Sequence, residues 1–167
     1  MKRTAIKAAK EAAKIILHYY SENVNAISKT NTCDLVTKAD IESENKIISI
    51  IKNKFPNHSI LTEESGEEIH KSDYCWVIDP LDGTNNFYHK FPMFCVSIAL
   101  YKKGKPLIGV VFDPLKKEFF YAEKNEGAYL NDKKINVSSV RSLNKALLVL
   151  GFYYERCLLM RKSLGQM

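Results

Sequence analysis

Apolar residues recur at helical spacing at the start of the chain and at alternating spacing through its middle. Ile6, Ala9, Ala13, Ile16, Leu17 and Tyr20 share one helical face and predict an amphipathic helix over residues 3–20. A second helical stretch, about 41–54, carries Ile41, Ile48, Ile51 and Phe55; Asp40 stands where an N-cap belongs, and Pro56 ends the stretch. From residue 59 the period shortens. Strands are predicted near 59–62, 74–79, 94–101, 107–113, 117–123, 127–130 and 135–137, with Lys103-Gly104 and Asn131-Asp132 as turn signals. Leu147–Leu150 reads as a further strand, and Tyr154–Met167 as a helix with Leu158, Met160, Leu164 and Met167 among basic residues. Two helices followed by consecutive hairpin strands predict an α+β fold, with both N-terminal helices packed on a mainly antiparallel sheet.

Composition narrows the class without naming a function. With 167 residues, 46% hydrophobic and 26% charged, the chain suits one domain with a sizeable core. No apolar run approaches the ~20 residues of a membrane span. The basic start, Met1-Lys-Arg-Thr, leads into an amphipathic helix and not a secretory apolar segment. Cys33, Cys75, Cys95 and Cys157 are widely spaced and read as reduced, packed thiols of a cytoplasmic protein. The net charge of +6 could attract anionic substrates or nucleic acid, but the lysine runs Lys102-Lys-Gly-Lys105, Lys116-Lys117 and Lys133-Lys134 sit at predicted hairpin turns, where solvated turns are the simplest account.

The candidate chemistry lies between Trp76 and His89. Asp79 and Asp82 follow an apolar run, and Glu63-Glu64 follow another short apolar segment 16 residues before Asp79. Carboxylates converging from two strand ends are what Mg2+ takes, alongside water and substrate phosphate oxygens. Pro80 biases Asp79 toward an extended conformation, and the chain is then expected to turn so that both aspartates point to one side. The Leu81 carbonyl between them is a further oxygen donor, Gly83 suits the tight turn, and Thr84 with the amides after it can open a short helix that receives phosphate. Taken alone, Asp-Pro-Leu-Asp-Gly is equally an ordinary surface turn.

The longer string Asp79-Pro-Leu-Asp-Gly-Thr-Asn-Asn-Phe-Tyr-His-Lys-Phe-Pro92 resembles the signature of the inositol monophosphatase family, Mg2+-dependent and lithium-sensitive phosphomonoesterases. Asp34–Asp40, Leu61–Ser65, Gly109–Pro114 and Gly127–Asn131 resemble further family segments, so the likeness runs from Ala5 to about Gln166. The resemblance implies that Glu63, Asp79 and the Leu81 carbonyl hold one metal, and that Asp79 and Asp82 share a second. It also implies that Glu63 and Thr84 orient the attacking water, that the Gly83 and Thr84 amides contact phosphate, and that Asp40 supports Thr84. Glu64 neighbours the site, and His89 is structural. The expected substrate is a small phosphorylated sugar or inositol; fructose bisphosphate and nucleotide phosphates are alternatives within the family. A link to the transcription machinery, which some bacterial members have, stays open.

The chain departs from the family toward its C-terminus. The family's second motif, Trp-Asp followed by small residues, has no counterpart, since the only Trp is Trp76 and Val77 follows it. The expectation is a metal-binding lobe at 1–151, with 152–167 beginning a helix of a truncated second lobe. Such a chain is expected to be an impaired phosphatase, or else a non-enzymatic remnant or assembly module that self-associates, as a homodimer or otherwise, through uncovered apolar surface. A haloacid-dehalogenase-type phosphatase is disfavoured because its two aspartates are one residue closer than Asp79 and Asp82.

Overall fold

A computed structural model describes residues 1–22, 26–28 and 35–149 of the chain. Helix α1 spans Lys2–Ser21. Two short paired strands follow, β1 at Ala26–Ser28 and β2 at Leu35–Thr37, then α2 at Lys38–Lys52. β3 covers Ser59–Thr62, β4 Glu67–Glu68 and β5 Tyr74–Asp82; a five-residue α3, Thr84–Tyr88, comes next. A meander completes the sheet: β6 Cys95–Lys102, β7 Lys105–Asp113, β8 Glu118–Glu123, β9 Gly127–Leu130 and β10 Lys133–Ile135. The eight strands from β3 onward are ordered β10-β9-β8-β7-β6-β5-β3-β4. Every described pairing in that sheet is antiparallel except β3 with β5, which is parallel. The α+β class and the mainly antiparallel sheet are as the sequence predicts.

Both helices cover one face of the sheet. The seam of α1 is built from small residues, Ala5, Ala8, Ala9, Ala12 and Ala13, all buried together with Ile16. Such small side chains let α2 and the sheet approach closely. From the sheet, Trp76, Ile78, Val96, Ile98, Leu100, Ile108 and Val110 point into this core. Each such aliphatic or aromatic side chain contributes roughly 1.5–3 kcal/mol when taken out of water. His58 closes the edge of the core. Its ring stacks between Phe55 at 4.8 Å and Tyr74 at 4.7 Å, and its Nδ1 accepts a hydrogen bond from Trp76 Nε1 at 3.1 Å. The opposite face, with Val77, Ala99, Val111, Phe120 and Ala128, has no described element over it, and Val111 is 39% exposed.

Several expectations need correction. Asp40 is not an N-cap: α2 begins at Lys38, so Asp40 lies in its first turn and is buried. The buried stripe of α2 is Ala39, Asp40, Ser43, Glu44, Ile47 and Ile51, whereas Ile41 is 47% exposed. The last described strand is Lys133–Ile135, set by a two-residue turn with Asn131 at φ 47 and Asp132 at φ 66, and not 135–137. Leu147, Leu148 and Val149 are exposed and outside any strand, because no described strand pairs with them. The predicted helix 154–167 and the boundary at 151 lie outside the described residues.

Candidate active site

The parallel pairing of β3 with β5 builds the site. Thr62 aligns with Ile78, so the next residues, Glu63 just past the end of β3 and Asp79 within β5, come side by side. The expected turn after Asp79 does not occur. β5 continues through Asp79-Pro-Leu-Asp82 with a bulge, because Asp79 faces Ser97 while Asp82 faces Cys95, three residues on one strand against two on the other. In a regular strand, residues three apart point to opposite faces. The extra residue restores Asp82 to the face of Asp79, which is how both carboxylates reach one site. Pro80 fits a bulge because it has no N–H to place in the ladder.

Burial and mutual repulsion define the cluster. Burial first, then the charges of Glu63 and Asp82 and a hydrogen bond to Glu63, push the Asp79 carboxyl up to about 7, against a smaller lowering from the Leu81 backbone N–H. Asp79 Oδ1 is buried and lacks a hydrogen-bond partner. An orphaned buried carboxylate oxygen is costly unless a cation or proton satisfies it. Asp82 is exposed and accepts from Cys95 Sγ at 3.6 Å. Burial, and then the Asp82 charge, push that thiol up to about 12. Among the described residues no three His, Cys, Asp or Glu side chains are arranged so that they could hold a metal ion by themselves. The donors present, all hard oxygens with one left unsatisfied, fit Mg2+.

Thr84 sits at the start of α3. Its hydroxyl lies 3.0 Å from the Leu81 carbonyl and 3.2 Å from Asp40 Oδ1, and shares its proton between them. The buried Asp40 thus ties α2 to the loop that follows the two aspartates. Gly83 has φ 94, and a Cβ there would lie 2.9 Å from the Met93 carbonyl, so glycine is required for backbone conformation and for space. His89 does not hold the following turn with its ring. The ring is exposed against Tyr88, while Asn86 Nδ2 donates to the Met93 carbonyl at 2.8 Å and Phe91 N to the Asn86 carbonyl at 2.7 Å. Lys90 fastens this loop to the end of α1. Its ammonium donates to the Glu22 carbonyl at 2.7 Å, and its own carbonyl accepts from Tyr20 Oη at 2.9 Å.

One residue of the site escapes the sequence reading. Glu44 of α2 is buried, and its two carboxylate oxygens accept from Glu64 N at 3.0 Å and Ser65 N at 3.1 Å. It fixes the loop that presents Glu63. Its signal is a charged residue at helical spacing from Asp40, Ile47 and Ile51, on the stripe that faces the core. Glu64 takes part in this arrangement through its backbone N–H.

Comparison with known proteins gives a consistent result. "Nus factor SuhB" of Pasteurella multocida is 42% identical over 170 residues, covering 100% of this chain and 63% of the relative. An "Inositol-1-monophosphatase" of Synechocystis is 50% identical over 124 residues, 74% of this chain and 43% of the relative. The matched segments thus cover 43% to 63% of the length of these relatives. The crystal structure of suhB from Bartonella henselae superposes with a TM-score of 0.80 at 37% identity, over 83% of this chain and 55% of that one. An IMPase/NADP phosphatase complexed with Mg2+ and phosphate gives 0.68 at 29% identity, over 75% of this chain and 48% of that one. The profile of the inositol monophosphatase family matches residues 1–164, and the chain belongs to that family.

Proposed function

We propose that the chain carries the metal-binding part of a metal-dependent phosphomonoesterase acting on a small sugar or inositol phosphate. The carrying observation is the buried, partnerless Asp79 Oδ1 beside Glu63 and Asp82. Glu63, Asp79, Asp82 and the Leu81 carbonyl are the oxygens that would hold Mg2+. Bound there, Mg2+ supplies the positive charge that makes a water acidic near neutral pH and neutralises phosphate oxygens. The chain's own residues then have distinct tasks. Glu63, at the end of β3, accepts the proton of the attacking water. Thr84 orients that water, its hydroxyl aimed by Asp40 and the Leu81 carbonyl. The Gly83 and Thr84 amides receive the phosphate. The Mg2+ and phosphate found with an IMPase/NADP phosphatase of the same fold support this assignment. Isothermal titration of the chain with Mg2+ should show weak binding that Asp79→Asn abolishes, and inositol-1-phosphate hydrolysis should require the same residue. Undiminished Mg2+ binding in the Asn variant would refute the ligand assignment.

A second reading, an assembly role without turnover, is favoured by one observation. A relative matched over 100% of this chain is called a Nus factor, a name that points to transcription. Turnover separates the two readings: an assembly module binds its partner equally well as Asp79→Asn.

A further inference from the structure

At the end of the sheet away from the carboxylate cluster, one cleft is lined by lysines and apolar residues. Lys102, Lys103 and Lys105 surround the β6–β7 turn, and Lys124 opens the β8–β9 turn. With Pro106 and Leu107 these lysines line one cleft of about 250 Å³. β5 runs from Tyr74, opposite Lys102, to Asp82, opposite Cys95, so the cleft stands roughly 25 Å from the candidate site at ~3.3 Å per residue. Lys103 is paired with Asp73 at 3.4 Å, and Lys102 Nζ lies 5.3 Å from the centre of the Tyr74 ring. The side chains of Lys105 and Lys124 have no partner among the described residues. No carboxylate lines the cleft itself; Glu123 pairs with Lys2 at 2.8 Å, and Glu126 lines the adjoining recess, which shares Lys124, Pro106 and Leu107 with the cleft.

We propose that this cleft docks the phosphate backbone of a nucleic-acid strand without reading its sequence. The lining side chains offer hydrogen-bond donors and apolar surface but no acceptor. A phosphodiester backbone presents acceptors and negative charge, which suits that lining. An acidic peptide would bring backbone N–H groups that find no side-chain acceptor there. Base stacking is not available, because the Tyr74 ring is covered by His58 at 4.7 Å on one side and carries Lys102 as its cation partner. Affinity must therefore come from phosphate contacts, which are sequence-independent and strongly salt-dependent.

The test is fluorescence anisotropy of the 167-residue chain with a labelled 16-nucleotide single-stranded RNA. Four phosphate contacts give a log–log salt slope of about −3, so raising KCl from 50 to 200 mM should weaken binding roughly 50-fold. The double variant Lys105→Glu/Lys124→Glu should bind at least ten-fold more weakly. Lys7→Glu/Lys46→Glu, an equal change of net charge at exposed helix positions, should keep most of the affinity. Lys105→Gln/Lys124→Gln repeats the test without reversed charge, and unchanged thermal unfolding certifies each variant's fold. Equal losses in both Glu pairs would reduce the effect to overall charge and overturn the proposal. So would undetectable RNA binding by the parent chain, or equal affinity for a polyglutamate of matching charge.

Discussion

Replacing Asp79 by Asn should stabilise the metal-free protein while abolishing its response to Mg2+. In the unfolded chain this carboxyl titrates near 3.8, and in the fold it is raised to about 7 by burial and by Glu63 and Asp82. A raised carboxyl favours the folded state at low pH. That contribution is lost as pH climbs from about 4 through 7, because the unfolded state ionises first. Three pH units at ~1.36 kcal/mol each give roughly 4 kcal/mol, and halving this for water access and for sharing with Glu63 leaves about 2 kcal/mol. Asn keeps an oxygen for the Leu81 N–H and gains an N–H for Glu63, so the substitution removes charge without removing bonds. Urea unfolding in EDTA should show Asp79→Asn about 2 kcal/mol more stable than the parent at pH 8, and about a third of that at pH 5. With 10 mM Mg2+ at pH 8 the parent should gain about 1.4 kcal/mol for a Kd near 1 mM, and the variant nothing. If the variant is the less stable protein at pH 8 in EDTA, or gains as much from Mg2+, the electrostatic reading of the site is wrong.

Three further outcomes follow from the geometry. Gly83→Ala places a Cβ 2.9 Å from the Met93 carbonyl in a left-handed conformation and should cost about 2–4 kcal/mol in urea unfolding. Glu44→Ala strands the Glu64 and Ser65 N–H groups and should cost roughly 3 kcal/mol, while Glu44→Gln, which keeps one acceptor, should cost less; calorimetry should find Mg2+ binding weakened in both. Burial lowers the His58 pKa, so its neutral form stabilises the fold fully above about pH 6.5, and that contribution is lost as pH falls below this value. The urea midpoint of the parent should therefore fall between pH 7 and 5 more steeply than that of His58→Gln.

Where the amino-acid pattern states the structure plainly, it does so because one force dominates. The alanine and isoleucine spacing of α1 leaves a single face to bury, and the helix found, Lys2–Ser21, matches it. β3 and β9 fall on the predicted residues, each a short run bounded by polar or turn-forming residues. α2 misleads because its inward stripe includes Asp40, Ser43 and Glu44, while hydropathy assigns Ile41 to the core. Asp40 and Glu44 are buried because they serve the neighbouring loops, through tertiary contacts that no local window contains, while Ser43 bonds back to the Asp40 carbonyl within the helix. The Asp-Pro-Leu-Asp segment reads as a turn by composition and is a bulged strand in the fold, since pairing with β6 outweighs local preference. β4 is two residues long and depends on β3 for its existence, so no periodicity can announce it. The sequence offers Glu63, Asp79 and Asp82 as candidates by type and spacing; the bulge and the Glu44 tether that position them follow from neither.

The bulge makes the Asp79–Asp82 segment a matter of counting as much as of chemistry. Side-chain substitutions at Pro80 or Leu81 leave the number of residues between the aspartates intact, and with it the face each one occupies. Removing a single residue there would return β5 to regular pairing and swing the second carboxylate through the sheet toward the helices, away from the first. Mutational drift by replacement is therefore open to this segment, whereas drift by insertion or deletion is closed. The hairpin turns at Lys103-Gly104 and Asn131-Asp132, which carry no part of the carboxylate cluster, should accept changes of length far more freely.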